Sequence, residues 1–267
     1  MRTSVVIGIG YLAYLAVTAA GGRADAGRPW RVGAVAALLI AAACGLEALP
    51  ETRWVSIALD CLPGTYVLAG YWLPALIRGP AAPRLQAWLL AHDRRLFAGG
   101  VGRILRRTPR LVLEYLELAY TCCSVVVPLG LAWLWVAGLR ETADAFWTAV
   151  LLAALPCFGT LPWFETRPPR EVEPVSDQRE RLLVRRLSVL VLRHVGVGAN
   201  TFPSGHVAAS LAAALAVGSV SPVGGAVFGV IAVSIAVASV VGRYHYAVDA
   251  VIGALMALAA FGLSRFV

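Results

Sequence analysis

The sequence predicts an all-α polytopic membrane protein, and three observations predict it. Of 267 residues 59% are hydrophobic and only 14% charged, with a mean hydropathy of +0.75, too little polar surface for a soluble globule. Apolar runs long enough to cross a hydrocarbon layer of about 30 Å as helices recur along the chain. The formal charge of +8 comes wholly from arginine, without one lysine, and no nucleic-acid motif accompanies it. Such a charge suits anionic lipid headgroups and phosphate rather than nucleic acid.

Taken in order, Val5 to Ala20 reads as a transmembrane helix rather than a signal peptide, although Thr18-Ala19-Ala20 has the small side chains of a cleavage site. A turn-rich loop from Gly21 to Pro29 leads to a second span, Val32 to Leu49. A third, Trp54 to Ile77, is interrupted by Pro63-Gly64 and Pro74 and carries Asp60, an internal acid that needs a partner in lipid. Arg78 to Arg110 is too polar to cross. Within it Leu85, Trp88, Leu89, Leu96 and Phe97 recur at helical spacing beside Arg84, Arg94 and Arg95, the pattern of a helix lying on headgroups. Arg103, Arg106, Arg107 and Arg110 extend it as a basic patch.

The fourth span begins near Leu111 and ends near Gly138, with Glu114 and Glu117 on one face of its first turns, where nearby arginines are the expected partners. Ala143 to Phe158 is the fifth, short, its end bracketed by Pro156 and Pro162 and followed by the interface aromatics Trp163 and Phe164. From 160 to 201 the chain is polar again: rigid Pro168-Pro169 presents Arg167 and Arg170, Glu171, Glu173 and Asp177 come next, and Leu183, Leu187, Leu190 and Val191 alternate with Arg185, Arg186 and Arg193 in a membrane-surface helix able to roof a site. His194 reads as a surface or packing histidine. Gly196, Gly198 and Asn200 form a flexible approach to Pro203. The five cysteines lie in or beside apolar runs without C-x-x-C spacing and read as small buried residues.

Phe202 to Asp249 organises the rest. Pro203-Ser204-Gly205-His206 is followed by apolar runs Val207–Val220 and Val223–Val241, divided by the turn signal Ser221-Pro222, and then by Arg243-Tyr244-His245-Tyr246-Ala247-Val248-Asp249. Two such helices start and finish on one side of the bilayer, so His206 and His245 meet. Ser204 is an N-cap residue at a helix start whose free N–H groups, with Gly205, face an anion. Asp249, one turn past His245, is spaced to hold the ring nitrogen that faces away from substrate. Ala208, Ala209, Ser210, Ala212, Ala213 and Ala214, with Gly253 and Ala257 on the last helix, allow the close packing that aligns two histidines on separate helices.

Together PSGH and H-x-x-x-D at helix starts resemble the second and third signature motifs of the type 2 phosphatidic acid phosphatase superfamily. The resemblance implies a six-helix core, here with two additional N-terminal helices, dividing the chain into a hairpin over 1–53 and a catalytic domain over 54–267. It also implies phosphoryl transfer through a phosphohistidine without metal or other cofactor: His245 as nucleophile, Asp249 orienting it, His206 protonating the leaving oxygen, and Arg167, Arg170, Ser204, Gly205 and Arg243 binding phosphate. Arg167-Pro168 matches the end of the family's first motif, but its lysine position falls on Thr160, and Arg170 stands in for that charge. In the third motif the usual arginine position is Ser239, and Arg243 is the nearest substitute. Arg243 beside His-Tyr-x-x-Asp resembles the branch containing inositolphosphorylceramide synthases.

Three function classes fit these residues: a lipid-phosphate phosphatase, a phosphotransferase passing a phospho-headgroup to an alcohol, and a non-enzymatic transporter or scaffold. The first is expected, in a bacterial inner membrane, acting on a membrane phospholipid or polyprenyl phosphate whose tail stays in the bilayer. Eight spans place 78–110, 160–203 and 242–244 on one side. The first of these carries eight arginines against Asp93, which by the positive-inside rule makes the catalytic side cytoplasmic.

Overall fold

The computed structural model describes residues 1–21, 29–173, 182–199 and 202–267. The turn after Gly21, Asp177 and Asn200 lie outside them. Thirteen α-helices are seen among these residues: α1 Thr3–Ala20, α2 Pro29–Ala48, α3 Arg53–Trp72, α4 Pro83–Ala98, α5 Gly100–Arg107, α6 Arg110–Thr121, α7 Val126–Val136, α8 Ala143–Phe158, α9 Pro169–Val172, α10 Leu183–Val195, α11 Gly205–Gly218, α12 Pro222–Val241 and α13 Ala247–Ser264.

The bundle is built around α8 and α11. Helix α8 is almost wholly apolar beyond its first turn and buried almost throughout, and α11, built mostly of small side chains, packs against α7, α8, α12 and α13. Helix α11 has only 14 residues, about 21 Å of rise and short of a full crossing; its neighbours cover it, so its length is not tested against lipid. The outer helices reverse the soluble pattern. Val223, Val230, Val233 and Val237 on α12 and Val251, Leu255 and Leu258 on α13 point outward, as hydrocarbon-facing side chains do. Helix α1 packs on α2, α3 and α8 and contributes Val5, Leu12 and Leu15 to the same core as α8 and α11.

Among the described residues five helices are long and apolar enough to cross a membrane alone, α1, α2, α8 (with the turn before it), α12 and α13; the bent pair α6 and α7 brings the number to six where it counts as one span. The chain is an integral membrane protein by that measure. The eight spans read from the sequence include two more segments, α3, which carries Asp60, and the short α11. The fourth span read from the sequence, near 111 to 138, is built of two helices bent by 72° and joined by a 3-10 turn at Cys122–Ser124. Pro128 supplies a reason: it has no N–H for the Ser124 carbonyl, and its ring would clash there. The cysteines correct another expectation, since Cys157 is buried but Cys44 and Cys61 are exposed on the outer surface.

The polar stretches are folded too. Gly79 N–H donates to Leu161 O, and Ala82 N–H to Glu165 O, both at 2.9 Å, which holds α4 beneath the segment after α8. The surface helix α10 shows its Leu183, Leu187 and Leu190 outward but buries Arg185 and Ser188 against the protein. The face that meets the bundle carries these two polar residues beside the half-buried Val184, Val189 and Leu192, while Arg186, Arg193 and His194 are exposed.

Candidate active site

His206 is placed by close backbone packing. It is the second residue of α11, capped by Ser204, whose Oγ accepts from Val207 N–H at 3.4 Å while Ser204 N–H donates to Asp249 O at 3.1 Å. Glycines at 205 and 253 permit this approach: an added Cβ at Gly205 would lie 2.2 Å from the Phe158 ring, and one at Gly253 2.5 Å from Ser204 O. The beginnings of α11 and α13 are therefore locked together, as expected from the small side chains of both helices.

His245 lies in the connection between α12 and α13. Tyr244 and His245 N–H both donate to Ser239 O at 2.9 Å, after Arg243 turns the chain at φ +62°. Asp249 Oδ2 accepts Tyr246 N–H at 3.1 Å and stands 3.5 Å from His245 Nδ1. That leaves the Nε2 edge of His245 for other work. The rings of His206 and His245 have centroids 6.0 Å apart, and both border a cavity of about 310 Å³. Tyr71, Tyr120 and Phe158 stand around His206 at ring distances of 5.5, 6.1 and 6.3 Å.

The candidate phosphate ligands divide. Arg170 lines the cavity, its guanidinium 5.1 Å from the Tyr244 ring centroid. Arg167 is exposed and is not among the cavity's lining; its backbone is held by Gln86 Oε1 and by the Tyr246 hydroxyl, which donates to Arg167 O at 3.1 Å. Arg243 donates to Asp93 at 2.8 Å and Glu173 at 2.7 Å, and lies over the Phe97 ring. Its charge is neutralised away from the histidines. Ser204 is buried as a cap, and Gly205 borders a neighbouring apolar chamber rather than this cavity. Thr160, at the family's lysine position, bonds back to Cys157 O at 2.9 Å.

Tyr71, Tyr120, Glu171, Arg193 and Tyr244 line the cavity without having been assigned as ligands from the sequence, and two of them stand out. Arg193, on the last turn of α10, reaches the cavity together with Leu192; the amphipathic period of that helix contained the signal, and the helix does roof the site. Tyr244 is the other. It stacks on Tyr120 at 3.8 Å and 5°, and its hydroxyl donates to Glu117 Oε2 at 2.5 Å. Burial and the Glu117 carboxylate push that phenol above its usual range. Glu117 also accepts from buried Arg185 at 2.8 Å, while Glu114 accepts the first N–H groups of α10 from Leu183 and Val184. The two glutamates are thus paired as anticipated, and they attach the roof to α6. His194 is exposed and caps nothing catalytic, its Nδ1 2.8 Å from Leu190 O.

Polar donors converging on two histidines suit the binding of a tetrahedral anion. No curated protein and no solved structure matches the chain. A family model described as the PAP2 superfamily matches residues 87–263, which span α4 to α13 and include every residue of this cavity but Tyr71. With two thirds of its length matched and the PSGH and H-x-x-x-D residues brought face to face, the chain belongs to the type 2 phosphatidic acid phosphatase (PAP2) superfamily.

Proposed function

We propose that the protein is an integral membrane lipid-phosphate phosphatase that hydrolyses a phosphomonoester or diphosphate through a phosphohistidine at His245. The observation that carries this reading is the pair of histidine rings 6.0 Å apart over a cavity that Arg170 and Arg193 also line. His245 Nε2 attacks phosphorus as the bond to the lipid oxygen breaks, and His206, protonated, gives that oxygen its proton. Asp249 keeps the remaining proton on His245 Nδ1 and so keeps the attacking nitrogen free. Water then attacks phosphorus, its proton passes to the neutral His206, and the N–P bond breaks to return His245. Arg170 and Arg193 bind the non-bridging oxygens, where charge accumulates in both steps, so the reading requires no metal.

Phosphatidate, phosphatidylglycerol phosphate and polyprenyl phosphates all satisfy this chemistry, and a purified-enzyme panel ranks them. With phosphorus-labelled substrate the wild type is expected to form an acid-labile, base-stable phosphohistidine that His245→Ala does not form, with full turnover in EDTA. Label retained by His245→Ala would overturn the assignment. Released inorganic phosphate, rather than a phosphorylated alcohol in the presence of acceptor lipids, separates hydrolysis from transfer. The catalytic side is assigned to the cytoplasm of a bacterial inner membrane from the arginines of α4 and α5. A lone cysteine replacing exposed Arg103 should resist an impermeant thiol reagent in sealed cells; prompt labelling reverses the orientation.

A further inference from the structure

Behind His206 lies a second space of about 560 Å³, almost wholly apolar, which includes Gly64 and Leu68 of α3, Cys123 and Pro128 at the α6–α7 bend, Trp147 of α8 and Ala209 of α11. Tyr71, Tyr120, Leu192 and His206 border both spaces, whereas His245 borders the polar cavity alone. The two spaces therefore share the wall that carries the acid, not the nucleophile. We infer that this chamber receives the hydrocarbon chain of the leaving alcohol, so that one chain of the lipid phosphate is threaded into the protein instead of remaining in the bilayer. The inference rests on the phosphatase reading for the word leaving, but the chamber itself does not.

Three features support that occupant. In the reaction the bond broken joins phosphorus to the oxygen that His206 protonates, so whatever is attached to that oxygen extends past His206, away from His245. The chamber lies in that direction. Its volume is that of a site for one chain-sized ligand, and a lining with so few polar groups selects hydrocarbon by burial rather than by hydrogen bonds. The fold also provides a way in. Helix α3 packs on α1, α2 and α8, while α6 packs on α10 and α12, and the 72° bend turns α7 toward α11. Between these flanks Leu68, Trp72, Val191 and Val195 line the chamber and are exposed on the outer surface, where the protein meets lipid. The chain thus enters sideways from the membrane, with its phosphate leading to Arg170.

Gly64 sits within the chamber, and a Cβ there would meet only the Trp147 ring at an ordinary 3.5 Å. Binding of non-hydrolysable n-alkyl phosphonates, from butyl to hexadecyl, is measured by calorimetry in detergent, beside hydrolysis of the matching alkyl phosphates. In wild type affinity rises with each methylene until the chamber is filled. Gly64→Leu should stop that rise at a shorter chain and lower the hexadecyl-to-butyl affinity ratio by roughly tenfold or more. Leu68→Trp, on the lipid-facing mouth where folding is tolerant, should lower the same ratio. Identical length dependence in wild type and both variants overturns the chamber and leaves the phosphatase reading standing. Length-dependent phosphonate binding without hydrolysis of any ester supports the chamber and overturns the phosphatase reading.

Discussion

Two buried knots of arginine and carboxylate invite comparison. Near the starts of α1, α3 and α8, Asp60 accepts from Arg2 and Arg140 at 2.5 Å each, with Trp147 Nε1 donating to Asp60 O. Beside the active site, Arg243 lies between Asp93 and Glu173, and Arg94 pairs with Glu173 from outside at 2.6 Å. Both compensate an ion in an apolar chain, yet they are attached to different things. The first joins side chains of helices at the end of α3 remote from Tyr71. The second reaches the backbone on either side of His245: Asp93 also accepts Ala247 N–H at 2.8 Å, and Arg243 O accepts Arg170 N–H at 3.1 Å. What sets the second knot apart is what its neighbours hold, not its strength.

That distinction is broken most forcefully at Asp60. Asp60→Ala leaves two arginines facing apolar helices and should destabilise by about 3 kcal/mol, the low end for a broken buried pair because both arginines reach the surface. Turnover per folded molecule should not change; a drop in kcat with the fold intact would mean that the remote knot is coupled to the site. Next in size, Arg170→Ala should lower kcat/KM about a hundredfold, the loss of one donor to developing charge, whereas Arg167→Ala, whose side chain lies outside the cavity, should stay within about twofold of wild type. Equal losses at the two positions would contradict the division of the cavity's arginines. Smaller again, Arg243→Asn keeps a residue suited to positive φ but loses both ion pairs. Its expected signature is kcat reduced about tenfold, or about 1.4 kcal/mol, with a modest fall in Tm, and wild-type kcat would show that the His245 connection holds itself.

Much of this was legible because local chemistry and tertiary position agree. PSGH marks a helix start whatever surrounds it, and H-x-x-x-D fixes one turn of helix, so the meeting of His206 with His245 and of His245 with Asp249 is read from the chain alone. Charge assignments were not legible in the same way. Arg243, two residues before His245, looked like a phosphate ligand, but its partners Asp93 and Glu173 lie 150 and 70 residues away in sequence, and spacing carries no record of them. Arg193 shows the converse: a residue of an ordinary amphipathic face becomes a cavity arginine only once α10 is folded over the site. The bend at 122–125 was hidden by hydropathy, which averages over Pro128 and sees a single apolar run.

The smallest expected effect distinguishes the knots by pH. Burial raises the Asp93 carboxyl above the usual carboxylate range, while Ala247 N–H and Arg243 pull it back. A carboxyl raised on folding binds its proton more tightly in the native state than in the unfolded one. Its contribution to stability is therefore fully present below the unfolded pKa and is lost as pH rises through the elevated folded value. Asp93→Asn preserves an acceptor for Ala247 N–H but removes the titration. Tm followed from about pH 4 to 7 should give a difference, wild type minus variant, that declines across the lower part of the range and then levels. A difference that grows with pH would mean that Arg243 outweighs burial, making Asp93 an ion-pair anchor like Asp60. In that case the two knots would share one energetic design, and only the Ala247 N–H bond would set the catalytic one apart.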